Sequence, residues 1–471
     1  MGADMTIDSY AYRWPHAELA ADPAWSPAEG GRFRQRALPE SAAELARDSR
    51  WPAFFPSPLV LVTTRDGDEV LLEKVVGASV VNRFPYTLAL SFCREPLSER
   101  HHVRRTFIDA LQRSGSAAVQ FLEPGPALDS AMAAIGSVPE ERSGERIEAS
   151  RLAVRPGRSV DAPVFRDATM VYECRLVRPG RDFAGQAINA QPFADVGSHR
   201  VFFLEITCIQ LRQDIAEGRS RIHWRALPAW HPLRDDPAPA AATPDALARQ
   251  AYVKGYTPHY AFPSAGTIGF ESDGSDDGMA WRLLPPLPGD QVEIDNDRAR
   301  WPCFFPSSVG LITSWSADGA ANVMPCGSTT IISRQPLVVA PCISYAAINS
   351  RYAPRQSLVD IRAAGRFGCA VPFIDERVVA AIRYSGNVSV ADDRDKARNS
   401  GLTVLPGGPS PVLAELPVHF DCRVTGEIRL GTHVMFLGEV ERVLVRSDVS
   451  PSNPLEWIPW ADIRVAAEEA A

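Results

Sequence analysis

The sequence predicts a mainly β protein with α additions, built as two copies of one small barrel domain that pack together as a pseudo-dimer within one chain. Three observations predict it. The segment Arg50-Trp-Pro-Ala-Phe-Phe-Pro-Ser57 returns as Arg300-Trp-Pro-Cys-Phe-Phe-Pro-Ser307, at an offset of 250 residues. The similarity then continues through matched apolar alternation: Leu61-Val62-Thr63 falls on Leu311-Ile312-Thr313, Gly77 on Gly327, and Thr87-Leu88-Ala89 on Leu337-Val338-Val339. Between turn signals the segments are short, apolar and β-branched, the pattern of a small closed barrel.

Length and composition fit two domains. A chain of 471 residues is too long for one core. It is 45% hydrophobic and 23% charged, so it can fold as an ordinary globular protein. The formal net charge of -8, with both signs interspersed, argues against a nucleic-acid or anionic-membrane partner. No run approaches the length of a membrane span. Met1-Gly-Ala-Asp-Met-Thr6 has neither the basic nor the apolar part of a signal peptide, so the expected location is cytoplasmic. The eight cysteines are scattered, with no C-x-x-C and no Cys/His cluster, which reads as reduced thiols rather than disulfides or zinc.

In the second copy, strands are expected at 309–314, 321–324, 329–333, 337–340, 366–373 and 434–440. Ala317-Asp-Gly319 marks the first turn. Helices are expected at 355–364, with Leu358 and Ile361 on one face, and at 376–384. Later matches carry the repeat to its end. Thr106 to Asp109 falls on Ser357 to Asp360, and Gly197-Ser-His199 on Gly431-Thr-His433. The first copy is longer between Arg178 and Val196, where an inserted loop is expected. The expected organisation is an N-terminal arm (1–44), a first copy (45–235), a Pro/Ala/Gly-rich linker and arm (236–294) and a second copy (295–465). Arg36-Ala-Leu-Pro39 sits ahead of the first copy much as Arg282-Leu-Leu-Pro285 sits ahead of the second. Two readings stay open for these segments: linkers, or arms that each pack on the other copy. Pro237 to Pro244 reads as flexible linker.

The second copy carries, in order, Thr313-Ser314, Gly319, Asn322-Val-Met-Pro325, Ser328-Thr329-Thr330, Pro336-Leu337-Val338, Arg355-Gln-Ser357, Gly365-Arg-Phe367, Asp395-Lys396, Gly431-Thr-His433 and Gly438-Glu-Val440. This order resembles the flavin reductase-like, FMN-binding split-barrel domain family, over roughly residues 296–465. The resemblance implies two FMN-binding split β-barrel domains, with flavin at the interface of the copies and NAD(P)H as reductant. In the family the histidine of the late Gly-Asp-His motif lies near the flavin face, which makes His433 the candidate catalytic residue. Here Thr432 replaces the aspartate. The first copy looks degenerate: Leu72 stands for Asn322, Val75 for Pro325, and no counterpart of Asp395-Lys396 is evident around Gly144-Glu145-Arg146. It keeps Ser79, Arg104-Arg105-Thr106 and Gly197-Ser-His199.

The residues themselves are compatible with a flavin in the second copy. A phosphate dianion needs hydroxyls, backbone N–H groups and a cation, best at a helix start. Gly327, Ser328, Thr329 and Thr330 offer the first two, and Arg355 with Ser357 the rest. Asn322, Pro325 and Cys326 could line an edge of the ring slot. Ordinary strand and cap chemistry would use the same residues, and His199 and His433 could equally be structural. Cys326 has no visible partner to make it a nucleophile. There is no G-x-G-x-x-G, Walker, H-E-x-x-H or G-x-S-x-G pattern, so NAD(P)H would have to bind directly over the flavin. The expected function is an FMN-dependent, flavin reductase-type oxidoreductase. Its partner would be a small-molecule substrate or a flavin-dependent monooxygenase that receives reduced flavin. The alternatives are an FMN enzyme acting on its own organic substrate and a non-catalytic flavin- or small-ligand-binding pseudo-dimer.

Overall fold

The computed structural model describes residues 25–37, 55–122, 126–212 and 305–448, with short gaps inside these ranges, and short strands at 229–230, 271–272 and 281–284. Most of the Trp-Pro-x-Phe-Phe-Pro repeats, the Pro237–Pro244 run and Cys303 lie outside the described residues. A first arm strand, β1 (Phe33–Ala37), precedes the first copy. That copy contains β2 (Val60–Asp66), β3 (Glu69–Val75), β4 (Gly77–Arg83), β5 (Tyr86–Cys93), β6 (Ser116–Phe121), β7 (Met170–Leu176) and β8 (His199–Arg212). The second arm strand is β9 (Trp281–Leu284). The second copy follows with β10 (Gly310–Trp315), β11 (Ala321–Cys326), β12 (Thr329–Arg334), β13 (Leu337–Ser344), β14 (Arg366–Val371), β15 (Val418–Arg429) and β16 (His433–Arg446). The helices are α1 (Arg105–Ser114), α2 (Pro126–Ser137), α3 (Arg146–Ser150), α4 (Gln356–Ala364), α5 (Glu376–Asn387) and α6 (Lys396–Asn399).

The two sheets have one topology. The first runs β9-β8-β7-β6-β2-β3, with β5 joining β8 to β4. The second runs β1-β16-β15-β14-β10-β11, with β13 joining β16 to β12. All these pairings are antiparallel, and their curled strands alternate toward buried apolar cores, as a split barrel requires. The expected elements are present. The helix at 355–364 begins at Gln356 and buries Leu358 and Ile361. The helix expected at 376–384 runs on to Asn387, and its Asp375 cap accepts from the N–H groups of Arg377 and Val378.

Each arm belongs to the other barrel. β1, ahead of the first copy, pairs with β16 of the second, and β9, ahead of the second, pairs with β8 of the first. The register matches Arg34 (opposite Val445) with Arg282 (opposite Leu211), two residues away from the Arg36 expected from the sequence. The aromatic motif is exchanged too. Phe305 packs edge-on against Phe121 and Tyr172 of the first copy, at 5.4 Å each. Phe55 packs against Phe420 of the second, at 6.4 Å. Both phenylalanines are fully buried.

Between the barrels, Val81, Ala89, Val201 and Phe203 share a core with Ile332, Val338, Ala340 and Met435. The hydroxyl of Ser91 donates to the carbonyl of Ile332 (2.7 Å), and the Ser198 N–H donates to the carbonyl of Gln335 (2.8 Å). Gly197 makes that approach possible. Its φ is +52°, and a Cβ there would lie 2.2 Å from the Gln335 oxygen. Among the described residues no helix is long and apolar enough to cross a membrane, and the seven described cysteines are free and buried.

The register also corrects the repeat. Val62 lies between Val119 and Glu73, and Ile312 lies between Cys369 and Met324. The offset of 250 therefore holds up to the β2–β3 and β10–β11 hairpins, becomes 251 from there to the starts of α1 and α4 because the first hairpin is one residue shorter, and is 250 again at Val119 and Cys369. Leu71, not Leu72, is the counterpart of Asn322, Glu73 of Met324, Lys74 of Pro325, and Tyr86 of Leu337.

Phe305→Ala should lower stability by about 3–5 kcal/mol, the usual cost of emptying a buried phenylalanine site. Because the ring fills the first barrel, the loss should be seen by probes in residues 60–176. Denaturant unfolding of both proteins tests this. A loss confined to the second barrel would contradict the exchange.

Candidate functional site

In the second copy, four elements bring the candidate residues together: the β10–β11 hairpin, the β11–β12 turn, the start of α4 and the start of α6. Arg355 caps α4 in an extended conformation, and its N–H donates to the Ser344 carbonyl at 3.2 Å. Ser357, on the first turn, accepts from the Asn322 amide nitrogen at 2.9 Å. That nitrogen also donates to Asp360 (3.0 Å), and the amide oxygen of Asn322 lies 3.4 Å from the Lys396 ammonium. Asp360 also accepts from Ser316 and Gln356. Lys396, the first residue of α6, is 3% exposed. Burial first, and then the positive charge of Arg355, bring its pKa down to about 8. Burial also lowers the pKa of Arg355.

The β11–β12 turn lies against β13. The Cys342 N–H donates to the Ser328 carbonyl at 3.0 Å, and the Thr329 hydroxyl donates to the Cys326 carbonyl at 3.0 Å. Gly327 and Ser328 are half-buried, while Thr329 and Thr330 are buried. The Thr330 hydroxyl makes a long contact to the Ile331 carbonyl, at 3.5 Å. Pro325 is half-buried and packs on Gly386 of α5, where a Cβ would come within 3.1 Å. The Cys326 thiol is buried, lies 3.4 Å from the Cys342 carbonyl and has its pKa raised by burial, which disfavours a reactive thiolate.

His433 opens β16 directly opposite Ser344, so the strand that receives the Arg355 N–H also carries the histidine's partner. Its Nδ1 is 2.8 Å from the Thr432 hydroxyl. Asn82 of the first copy accepts from the N–H groups of Thr432 (2.9 Å) and His433 (3.1 Å), so this corner lies at the boundary of the barrels. The hydroxyl of Ser344 is buried without a hydrogen-bond partner among the described residues. His199, the matched residue, is buried, with Nδ1 2.9 Å from Ser198.

The matched place in the first copy is built from different charges. Arg104 caps α1 and donates its N–H to the Cys93 carbonyl at 2.9 Å, as Arg355 does to Ser344. Arg146 begins α3 as Lys396 begins α6, and a left-handed residue follows each, Arg151 (φ +56°) as the cap of α3 and Gly401 (φ +88°) just beyond the Ser400 cap of α6. Glu145-Arg146 is thus the counterpart of Asp395-Lys396 that the sequence did not reveal. Glu73, at the position of Met324, is fully buried and bridges Arg104 (2.7 Å) and Arg146 (2.6 Å). Sequence reasoning missed Glu73 because the one-residue hairpin difference hid its register. It noted Lys396 only as part of a motif.

The flavin reductase like domain family model matches residues 52–227 and 302–460. The chain belongs to this family. Membership places it, at the level of the family, among flavin-related oxidoreductases. Similar solved structures include flavoredoxin of Desulfovibrio vulgaris (Miyazaki F), 24% identical, covering 30% of this chain and 70% of that one, with TM-score 0.26. Another is nitrilotriacetate monooxygenase component B from Bacillus cereus, 21% identical, covering 34% and 80%, with TM-score 0.30. A third is Pseudomonas fluorescens 2-nitrobenzoate 2-nitroreductase, 18% identical, covering 31% and 67%, with TM-score 0.26. A comparison with curated proteins finds no match.

The depressed pKa of Lys396 has a consequence for stability. Between about pH 8, its folded value, and its ordinary 10.5, the unfolded chain binds more protons than the folded one. Stability of the unliganded protein should therefore rise with pH across that window through this group. Lys396→Met removes the titration, so its unfolding free energy should rise less from pH 8 to pH 10 than that of the wild type. Parallel denaturant curves at the two pH values test this, and equal slopes would show that Lys396 titrates normally.

Proposed function

We propose that the chain is an FMN-binding oxidoreductase that holds one flavin in the second copy, at the boundary with the first, and takes hydride from NAD(P)H. The observation that carries this reading is the charge of the two matched sites. Both place two cations at helix starts, but the first meets them with the buried carboxylate of Glu73, where the second has the uncharged Met324. Burial lowers the pKa of both Arg355 and Lys396, and the charge of Arg355 lowers that of Lys396 further against Asp393 and Asp360, so keeping both charged costs stability, which an arriving dianion would offset. A phosphate monoester fits that donor set.

In this reading Arg355, Lys396 and Ser357 hold the phosphate, with the backbone of Gly327 to Thr330 beside it. Asn322 has its amide engaged by Ser357, Asp360 and Lys396. That suits it to fixing those groups more than to touching the ring. Pro325 and Cys326 line the slot. FMN would supply two-electron exchange with NAD(P)H, and His433 would position the nicotinamide. Reduced flavin would pass to a monooxygenase or to a small-molecule acceptor.

A second reading, an FMN enzyme with its own organic substrate, is favoured by the inserted segment of the first copy. Its Asp182 accepts from the Tyr345 hydroxyl and from Arg429, both at 2.8 Å, and Arg429 stacks over the Tyr345 ring at 4.0 Å. The Tyr345 N–H in turn donates to the carbonyl of Thr432, beside His433. Anaerobic titration with candidate acceptors after reduction separates the two.

The protein should bind FMN and lose its absorption near 450 nm on anaerobic addition of NADH or NADPH. Arg355→Ala with Ser357→Ala should weaken FMN by at least about tenfold, since charge-assisted hydrogen bonds are worth ~1.5–3 kcal/mol each and about 1.4 kcal/mol is a factor of ten. Arg104→Ala with Thr106→Ala should weaken it less. Equal losses would mean two working sites, and no loss would remove the phosphate assignment. His433→Asn should keep FMN bound but slow its reduction in stopped flow, because a donor misplaced by ~1 Å costs about a hundredfold. An unchanged rate would make the histidine structural.

A further inference from the structure

In the first copy a carboxylate already sits between the two cations. Glu73 is inaccessible, and its Oε2 lies 2.7 Å from the Arg104 guanidinium and 2.6 Å from that of Arg146, whose side chains are 8% and 2% exposed. Arg146 also donates to the Leu72 carbonyl at 3.1 Å and to the Val138 carbonyl. The Glu73 carboxylate comes from the middle of a strand, so no loop movement withdraws it. The backbone around it is that of the second copy. The caps Arg104 and Arg355 make the same N–H contact, and Arg146 and Lys396 begin matched helices. The sites differ at several side chains, with Leu71 for Asn322, Arg146 for Lys396 and Glu140 accepting from the Thr106 N–H at 2.5 Å, but the carboxylate that meets both cations is Glu73, where the second copy has Met324 on the same face of the same hairpin strand.

We propose that Glu73 is a built-in counter-ion that occupies, in the first copy, the place an external phosphate takes in the second, so that the chain loads one phosphate-bearing ligand and keeps a second, latent anion site closed. This rests on the phosphate-binding reading of the second copy. One carboxylate between two guanidiniums cancels one of their two charges and separates them in a dry site. An incoming dianion would have to displace a carboxylate that has nowhere to go, and the repulsion between the two anions opposes co-binding. Removing the carboxylate while keeping Arg104 and Arg146 leaves the two cations without it, and an anion from solution should then stabilise the fold by mass action.

The test uses the full chain with inorganic phosphate as the probe. In a background that silences the second site, Arg355→Ala with Lys396→Ala, titration calorimetry should show no phosphate bound. Adding Glu73→Gln, which keeps the side-chain volume, should create one phosphate site and a melting temperature that rises with phosphate. Further addition of Arg104→Ala should abolish both. Where Glu73→Gln fails to fold by circular dichroism, Glu73→Met with Arg146→Lys installs the second copy's residues and is read in the same way. Wild type should bind one FMN per chain by flavin fluorescence.

Three results would overturn the proposal: phosphate bound at Arg104 and Arg146 with Glu73 intact, no phosphate site after its removal, or two FMN per wild-type chain. Wild type that binds phosphate but no FMN would instead sink the flavin reading, and the phosphate titrations would still decide the role of Glu73.

Discussion

The exchange of arms and aromatic rings between the two barrels is the constraint on which the rest depends. Phe305 completes the core of the first copy and Phe55 that of the second, while each sheet ends in a strand taken from ahead of the other copy. Neither barrel is closed by its own segment alone. A buried phenylalanine contributes several kcal/mol, and two such rings held reciprocally make separation of the barrels costly. Their surfaces can then carry polar contacts that would be weak between free partners, such as Asn82 with Thr432 and His433. The corner that holds His433 is built from both copies for this reason.

Within that frame the two sites face the same electrostatic problem. A helix start carrying a cation, beside a second cation on a short helix, cannot be buried without a nearby anion at a tolerable cost. The first copy answers with Glu73 from its own strand. The second leaves Lys396 with a depressed pKa next to Arg355, which is a standing cost in the unliganded protein. Natural chains keep such a cost where a ligand removes it. The charges of Asp393 and Asp360 moderate it.

Much of this was legible in the sequence. The duplication, the strand and helix order of the second copy, and Arg355 with Ser357 at one helix start follow from patterning and motif order, whereas Asn322, expected at the ring edge, is found bonded to Ser357 and Asp360. Reciprocal arms were visible as one of two readings. Two things were hidden for a physical reason. Gapless matching carries the offset of 250 across a hairpin whose loop differs by one residue, and in a strand a slip of one exchanges the two faces. It therefore set Leu72 against Asn322 and left Glu73 facing the wrong way. Arg146 went unrecognised as the partner of Lys396 because arginine for lysine, in a segment otherwise changed, leaves little pattern. A long-range ion triad joining a strand, a helix cap and a short helix has no signature in linear spacing.

Fusion makes the asymmetry possible. In a dimer of identical chains, a carboxylate at the position of Glu73 would enter both sites at once, and any gain in stability would come with loss of every anion site. With the copies joined, the first can meet its own cations with a carboxylate and become a fixed support, while the second keeps the uncharged Met324. The supporting copy still reaches the other site, through Asn82 at the His433 corner and through Asp182 at Tyr345 and Arg429. Those two contacts come from the parts of the first copy that its partner lacks or does not match: the inserted segment, and an asparagine where the second copy has Ser333. Closing one site has left its barrel free to shape the surroundings of the other.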